Sequence, residues 1–244
     1  MRMAEPLRSV LLVEDDASIT RFVAMALEED PVRLTTAPTL RAARALLQRH
    51  RYDVLLCDLM LTDGSGLDLL RELGTQAGLR RVAFSASLHG PQRAELARLG
   101  VDEVLSKPVA MDDLRRALLQ PPAPGSAPPA PATPTPAADP VQAYFGGDHT
   151  LHAAYREQCH AQFAADLASG DASAAAGRWA ELRRLAHSLK SVLRMLGDAR
   201  GSERARELED LSAKDEAAAA TAAWQALRPH LQPGGGAPGH HRAP

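Results

Sequence analysis

Five residues of this 244-residue chain stand where short apolar runs end, and their types suit one chemistry. Glu14 and Asp15 follow the run 9–13, Asp58 follows 54–57, Ser85 follows 81–84, and Lys107 follows shortly after 103–105. Three carboxylates brought to one rim repel each other unless a cation sits among them. Hard oxygen ligands on a partly open rim suit Mg²⁺, which keeps some waters and binds phosphate oxygens. Such a cation would shield Asp58 and neutralise charge on an incoming phosphoryl group. The Asp58 carboxylate is then a nucleophile able to form an acyl phosphate, with Ser85 and Lys107 placed to hold phosphoryl oxygens. Taken singly, each residue has a plainer reading, because acids after strands often cap helices or shape turns and a lone Lys is usually solvated. Asp16 reads as a helix-start residue only.

A second candidate nucleophile is His187. Projected at about 100° per residue, Leu182, Leu185, Leu189, Val192, Leu193 and Leu196 form one stripe that should face a core. His187 points nearly opposite, on a face expected to be exposed, with Arg183, Lys190, Ser191 and Arg194 as neighbours. Nearby cations disfavour imidazolium, and the neutral ring is the nucleophilic form. An ordinary surface histidine on a basic helix fits the geometry as well. His149, His152 and His160 near Cys159 match no closed zinc pattern and read as a solvated helix face.

The elements that must position these residues follow from hydrophobic periodicity. Strands are expected at 9–13, 32–36, 54–57, 81–84 and 103–105, alternating with helices at about 17–29, 67–73, 91–99 and 111–119 and, after Thr39, one carrying Leu40, Ala43, Leu46 and Leu47. Asp16 and Thr39 serve as helix starts, and acids cap the last helix. Alternation of this kind predicts a doubly wound α/β domain with a five-stranded parallel sheet, flavodoxin-like, whose strand C-termini share one edge. Residues 121–140 are rich in Pro and Ala and cannot form a ladder or a core, so they read as an extended linker. Beyond them the chain is Ala- and Leu-rich. Helices at about 151–167, 172–196, 199–212 and 216–227 predict a separate all-α antiparallel bundle.

Composition narrows the function classes. A net charge of −2 gives no bulk electrostatic reason for nucleic-acid or membrane binding. Cys57 and Cys159 form no disulfide framework, which favours a reducing compartment. No apolar run approaches the ~20 residues of a membrane span, and the N-terminus lacks a signal-peptide pattern, so a cytoplasmic location is expected.

On this scaffold, Glu14-Asp15, Asp58, Ser85-Ala86 and Lys107-Pro108 resemble the response-regulator receiver family in order and spacing, and 58–66 is similar to its phosphoacceptor loop. The resemblance covers about residues 7–120. It implies that Asp58 accepts a phosphoryl group and that Asp15 and Asp58 bind Mg²⁺ directly with the Met60 carbonyl. It also implies that Glu14 acts through water and that the Lys107–Pro108 bond is cis. Two positions depart from the family. Thr62 stands where Pro is usual, and Val104 stands where an aromatic residue usually reports phosphorylation. Residues 186–191, with Leu196-Gly197 and Leu208-Glu209, resemble the histidine-containing phosphotransfer (HPt) domain. That resemblance implies that His187 carries phosphate, supported by Lys190 and Ser191, the latter in place of a usual Gly.

The expected organisation is a receiver over 7–120, a linker over 121–140, an HPt bundle over 141–231 and a disordered tail over 232–244. The expected function is two-component phosphorelay signalling by Mg²⁺-dependent phosphoryl exchange between His and Asp. The chain shows no kinase ATP-binding motif, so it is expected to be a phosphotransfer protein and not a kinase or other enzyme. Its partners would be a sensor histidine kinase and other receiver or HPt proteins, with no nucleic acid, membrane insertion or small-molecule substrate. The competing reading is a phosphorylation-independent interaction module built on a degenerate receiver. An Asp-nucleophile phosphatase is disfavoured, because 58–62 lacks the second Asp such enzymes use as general acid.

Overall fold

The computed structural model describes residues 7–74, 77–85, 90–120, 139–214 and 216–232. The expected linker up to residue 138, the tail from 233 onward and Ala86 lie outside the described residues. The chain divides into two compact units, Met1–Thr135 and Pro136–Pro244.

In the first unit, β1 (Arg8–Val13), β2 (Val32–Ala37), β3 (Val54–Asp58), β6 (Arg80–Ser85) and β7 (Glu103–Ser106) form one parallel sheet, ordered β2-β1-β3-β6-β7. Between β3 and β6 sits a small antiparallel hairpin, β4 (Met60–Leu61) with β5 (Gly64–Ser65). Helices α1 (Ala17–Ala26), α2 (Leu40–Arg49), α3 (Gly66–Leu73), α4 (Gly90–Arg98) and α5 (Met111–Leu119) alternate with the strands. β3 is buried at all five positions, as befits a central strand covered on both faces, whereas β2 is largely half-exposed at the edge. Leu11, Val13, Leu55, Cys57 and Ala83 face one apolar layer with Leu40, Ala43, Leu69, Leu70 and Leu96 from α2, α3 and α4. Each fully buried leucine contributes about 1.5–3 kcal/mol over exposure.

Caps explain where the helices begin. Asp16 accepts from the Ile19 N–H and Thr39 from the Ala42 N–H, as their residue types predict. At α5 the expectation of an acidic cap is corrected. The cap residue is Ala110 without a side-chain bond, and Asp112 and Asp113 lie in the first turn, where they meet the positive end of the helix dipole. The far end of α5 is clamped to the sheet: Arg8 donates to the Leu118 carbonyl at 3.0 Å, and Arg80 donates to the Gln120 carbonyl. Buried Glu103 joins Arg80 and Arg116, both at 2.7 Å.

The second unit is helical: α6 (Pro140–Phe145), α7 (His149–Ala175), α8 (Trp179–Met195), α9 (Ala199–Ser212) and α10 (Ala217–Leu227), then a 3₁₀ turn at Arg228–Leu231. Asp139 and Pro140, read from composition as linker, instead open a helix: the Asp139 carboxylate accepts from the Val141 N–H, and Pro140 occupies a first-turn position that needs no donor. The helix break expected near 168–171 is also corrected. Gly170 sits mid-helix because Trp224 packs against it, and a Cβ there would lie 2.2 Å from the indole. The reversal falls at Gly177, whose φ of +65° is the left-handed conformation that glycine adopts without penalty. Tyr155, Phe163, Leu182, Leu189, Leu193, Leu208 and Trp224 fill the interior.

Candidate functional site

Parallel strands bring the sequence-distant acids together at the sheet's carboxyl edge, beside the β1/β3 point where strand order reverses, a usual ligand position. Carboxylate oxygens of Glu14, Asp15 and Asp58 lie within 4.8 Å of one another, and no other such His/Cys/Asp/Glu cluster occurs among the described residues. Lys107 Nζ donates to Glu14 Oε2 at 2.5 Å and to Asp58 Oδ2 at 2.7 Å. Its ammonium also stands 4.6 Å from the Phe84 ring centroid, a favourable cation–π placement. The Met60 N–H donates to Asp58 Oδ1 at 3.0 Å, and the Thr62 N–H to Asp15 Oδ2 at 2.8 Å. Ser85 is buried at the end of β6, and its carbonyl accepts from the Lys107 N–H at 2.8 Å. The Lys107–Pro108 bond is cis.

Electrostatics record the crowding. Burial pushes the Glu14 carboxyl up to about 8, with Asp58 adding and Lys107 opposing. Burial and Asp58 likewise raise Asp15. Burial works against the Lys107 ammonium, but Glu14 and Asp58 outweigh it and hold its pKa above the ordinary lysine value. A rim that lifts two carboxyl pKa values and engages a buried lysine is short of positive charge. All-oxygen donors in that state fit a hard divalent cation such as Mg²⁺.

The loop after Asp58 has constraints its sequence did not announce. A Cβ on Gly66 would sit 2.0 Å from the Asp58 carbonyl oxygen, so α3 can start this close to the site only on glycine. Asp63 leaves the hairpin to accept from the Leu40 and Arg41 N–H groups, at 2.8 and 3.0 Å, at the start of α2. Val104, at the usual aromatic position, is packed as a partly buried core residue.

In the bundle, the expected exposed face of α8 is corrected. His187 is 7% exposed and Ser191 1%. The apolar stripe describes one buried side, but α8 packs against both α7 and α9, so a second side is covered as well. His187 Nδ1 lies 2.7 Å from Glu209 Oε1, and Lys190 Nζ donates to Glu209 Oε2 at 2.6 Å. Arg194 donates to the Tyr144 hydroxyl at 3.2 Å, leaving Arg183 as the exposed cation of the set. Burial opposes the Glu209 carboxylate, yet His187 and Lys190 hold its pKa down at about 2. At neutral pH Glu209 therefore only accepts, so the proton of a neutral His187 ring sits on Nδ1 and Nε2 carries the lone pair. Nε2 is buried with no hydrogen-bond partner among the described residues, as is Ser191 Oγ. Glu209 appeared in the sequence only as part of a resemblance. Its signal was a carboxylate on the α9 face otherwise buried through Ala205, Leu208 and Ser212. His149 and His160 stay exposed while Cys159 is buried, and His152 packs edge-on to Phe145 at 5.0 Å, so those four form no site.

The family model of the response regulator receiver domain matches residues 10–119, and that of the Hpt domain matches residues 153–232. The KDP operon transcriptional regulatory protein KdpE of Escherichia coli is 32% identical over 110 residues, covering 45% of this chain and 49% of that protein. The sensor histidine kinase AruS of Pseudomonas aeruginosa is 40% identical over 115 residues, covering 45% of this chain and 11% of the kinase. The chain thus spans half or less of the length of these relatives. Among solved structures, chemotaxis response regulator CheY4 of Vibrio cholerae is similar at 23% identity and a TM-score of 0.43, covering 46% of this chain and 96% of that one. No described helix is long and apolar enough to cross a membrane. The chain joins a response regulator receiver domain to an Hpt domain, the components of two-component phosphorelay signalling.

Proposed function

We propose that Asp58 and His187 are the two phosphoacceptors of a His–Asp relay, with Mg²⁺ held by Asp15, Asp58 and the Met60 carbonyl and by Glu14 through water. The observation that carries this reading is the convergence of Glu14, Asp15, Asp58 and Lys107 on one rim. A bound Mg²⁺ would supply charge neutralisation for the transferring phosphoryl group.

The chain's own groups do the rest. An Asp58 oxygen attacks phosphorus on a phosphohistidine donor, the N–P bond breaks, and its electrons return to the imidazole nitrogen. Lys107, which bridges Glu14 and Asp58 in this conformation, shifts to the new phosphoryl oxygens, and Ser85 donates to another. At His187, the Nε2 lone pair attacks the phosphorus of an aspartyl phosphate, the O–P bond breaks and its electrons return to the Asp carboxylate, while Glu209 retains the proton on Nδ1, so no proton need be supplied in either direction. Lys190 and Ser191 support this histidine, Lys190 by orienting Glu209. Because Nε2 is covered, its cover must move before transfer. Donors and acceptors are a sensor histidine kinase and other receiver or HPt proteins, reached in the cytoplasm. The protein acts as a phosphotransfer component and not as a kinase.

Incubation with acetyl phosphate and Mg²⁺ tests the receiver half. Hydroxylamine-sensitive label is expected on wild-type protein and absent from Asp58→Ala. Wild-type protein that takes no label under these conditions would return the chain to the interaction-module reading.

A further inference from the structure

Two neighbouring turns of α8 each bury a polar atom that has nothing to bind. Elsewhere in the bundle, buried Ser173 and Ser202 place their hydroxyls on Glu181 at 3.1 Å and on the Lys190 carbonyl at 2.8 Å. Ser191 is more deeply buried, at 1% exposure, yet its Oγ has no hydrogen-bond partner among the described residues. A buried hydroxyl left unpaired costs stability, so its presence needs a reason. Ser191 follows His187 by four residues, which makes the two side chains neighbours on the helix surface. Helical side chains lean toward the N-terminus, so the serine hydroxyl leans over the turn that carries the histidine. His187 Nε2, the proposed site of the phosphoryl group, is buried and unpartnered in the same way. The two do not bond each other, but a phosphoryl group on Nε2 would bring acceptor oxygens toward the serine. The cations along this face have partners already: Lys190 holds Glu209 at 2.6 Å, and Arg194 holds the Tyr144 hydroxyl at 3.2 Å. We infer that Ser191 is a phosphoryl-binding residue, its O–H donating to an oxygen of the group on His187 Nε2 and so weighting phosphate exchange toward the histidine, an assignment that rests on the phosphohistidine reading above. The serine makes and breaks no bond to phosphorus. Glycine, usual at this position, carries no such donor.

The test uses the full chain with Asp58→Ala, which leaves His187 as its one proposed acceptor. This parent is equilibrated with a separate receiver phosphorylated by acetyl phosphate, and the phosphate on each protein is measured. Adding Ser191→Ala should move the equilibrium away from His187 by about tenfold, the low end for a hydrogen bond to a charged group. Alanine keeps the Cβ and suits a helix interior, so the fold is retained. A serine acting only by its bulk on a docking receiver would change both directions of transfer alike and leave the equilibrium in place. Ser212 supplies the control: it is also buried with an unpartnered hydroxyl, but it lies on α9, three residues beyond Glu209. Ser212→Ala should leave the equilibrium unchanged. An equilibrium that Ser191→Ala does not move, or that Ser212→Ala moves as far, overturns the role of Ser191 and leaves the relay reading standing. A parent protein that takes no phosphate on His187 removes the relay reading and the role of Ser191 with it.

Discussion

The two proposed nucleophile sites have opposite charge balances. At the receiver rim, Glu14, Asp15 and Asp58 outnumber the one buried lysine, and burial lifts the Glu14 carboxyl to about 8. In the bundle a single carboxylate, Glu209, is shared by an imidazole and an ammonium and is held at about 2. The rim is assembled by sheet topology from residues up to 93 positions apart, whereas the histidine site needs only α8 and α9, with a separation of 22. On the proposed reading, the site short of positive charge is the one that takes a cation. On the same reading, the site whose carboxylate is already satisfied keeps one ring nitrogen protonated and the other free.

Breaking the nucleophiles should have the largest effect. Asp58→Ala should abolish acetyl-phosphate labelling of the receiver while leaving phosphate transfer onto His187 from a separate phosphorylated receiver intact, and His187→Ala should do the reverse. Retention of label by both single variants would show that neither residue is the acceptor.

The lysine tests the charge deficit. Lys107→Ala leaves buried Glu14 and Asp58 without their cation, and should cost the receiver about 3–5 kcal/mol. Mg²⁺ should recover part of this, measured by urea unfolding followed by hydrogen exchange of receiver peptides. A loss indifferent to Mg²⁺ would count against the rim as a cation site.

The opposite pKa directions predict opposite responses to acid. Glu14 is raised, so the folded receiver binds its proton more tightly than the unfolded chain, and receiver stability should rise as pH falls from about 8 toward the ordinary value of 4.5. Glu209 is depressed, so its contribution is complete above 4.5 and is lost as pH falls toward about 2, a change of about 3 kcal/mol. Both tryptophans, Trp179 and Trp224, lie in the bundle, so their fluorescence follows this unit alone during denaturation. Glu209→Gln should flatten that acid limb. The same variant should slow phosphotransfer through His187 by about tenfold, from loss of one charged hydrogen bond, with its kinetic pH profile shifted relative to wild type.

Most of the receiver's architecture is legible in its sequence, because each central strand is an apolar run closed by a polar residue at the shared edge. Asp58 and Lys107 could be placed on one edge before any coordinates, since parallel topology leaves their strand ends nowhere else to go, but their direct ion pair could not be read. Less could be read where packing decides. Two-residue strands such as Met60–Leu61 have no periodicity to detect. Gly66 looks like any turn glycine until the Asp58 carbonyl is seen against it. In the bundle, Gly170 imitates a helix break because sequence does not show that Trp224 fills the space beside it. His187 imitates an exposed residue because a helical wheel assigns one buried side, and α8 has two. Polar residues on that second side are stabilised by Glu209 on a different helix, a partnership that local spacing does not encode.

The guanidinium clamps at the end of α5 have a mechanical consequence. Tension applied to the chain beyond Gln120 meets two side-chain clamps at the end of α5. Through Arg8 on the Leu118 carbonyl and Arg80 on the Gln120 carbonyl, it passes into β1 and β6. Those strands sit on either side of β3 in the sheet, so the two clamps fasten the end of α5 to the strands that flank Asp58. The last described residues of the first unit are therefore held to the sheet that carries Asp58.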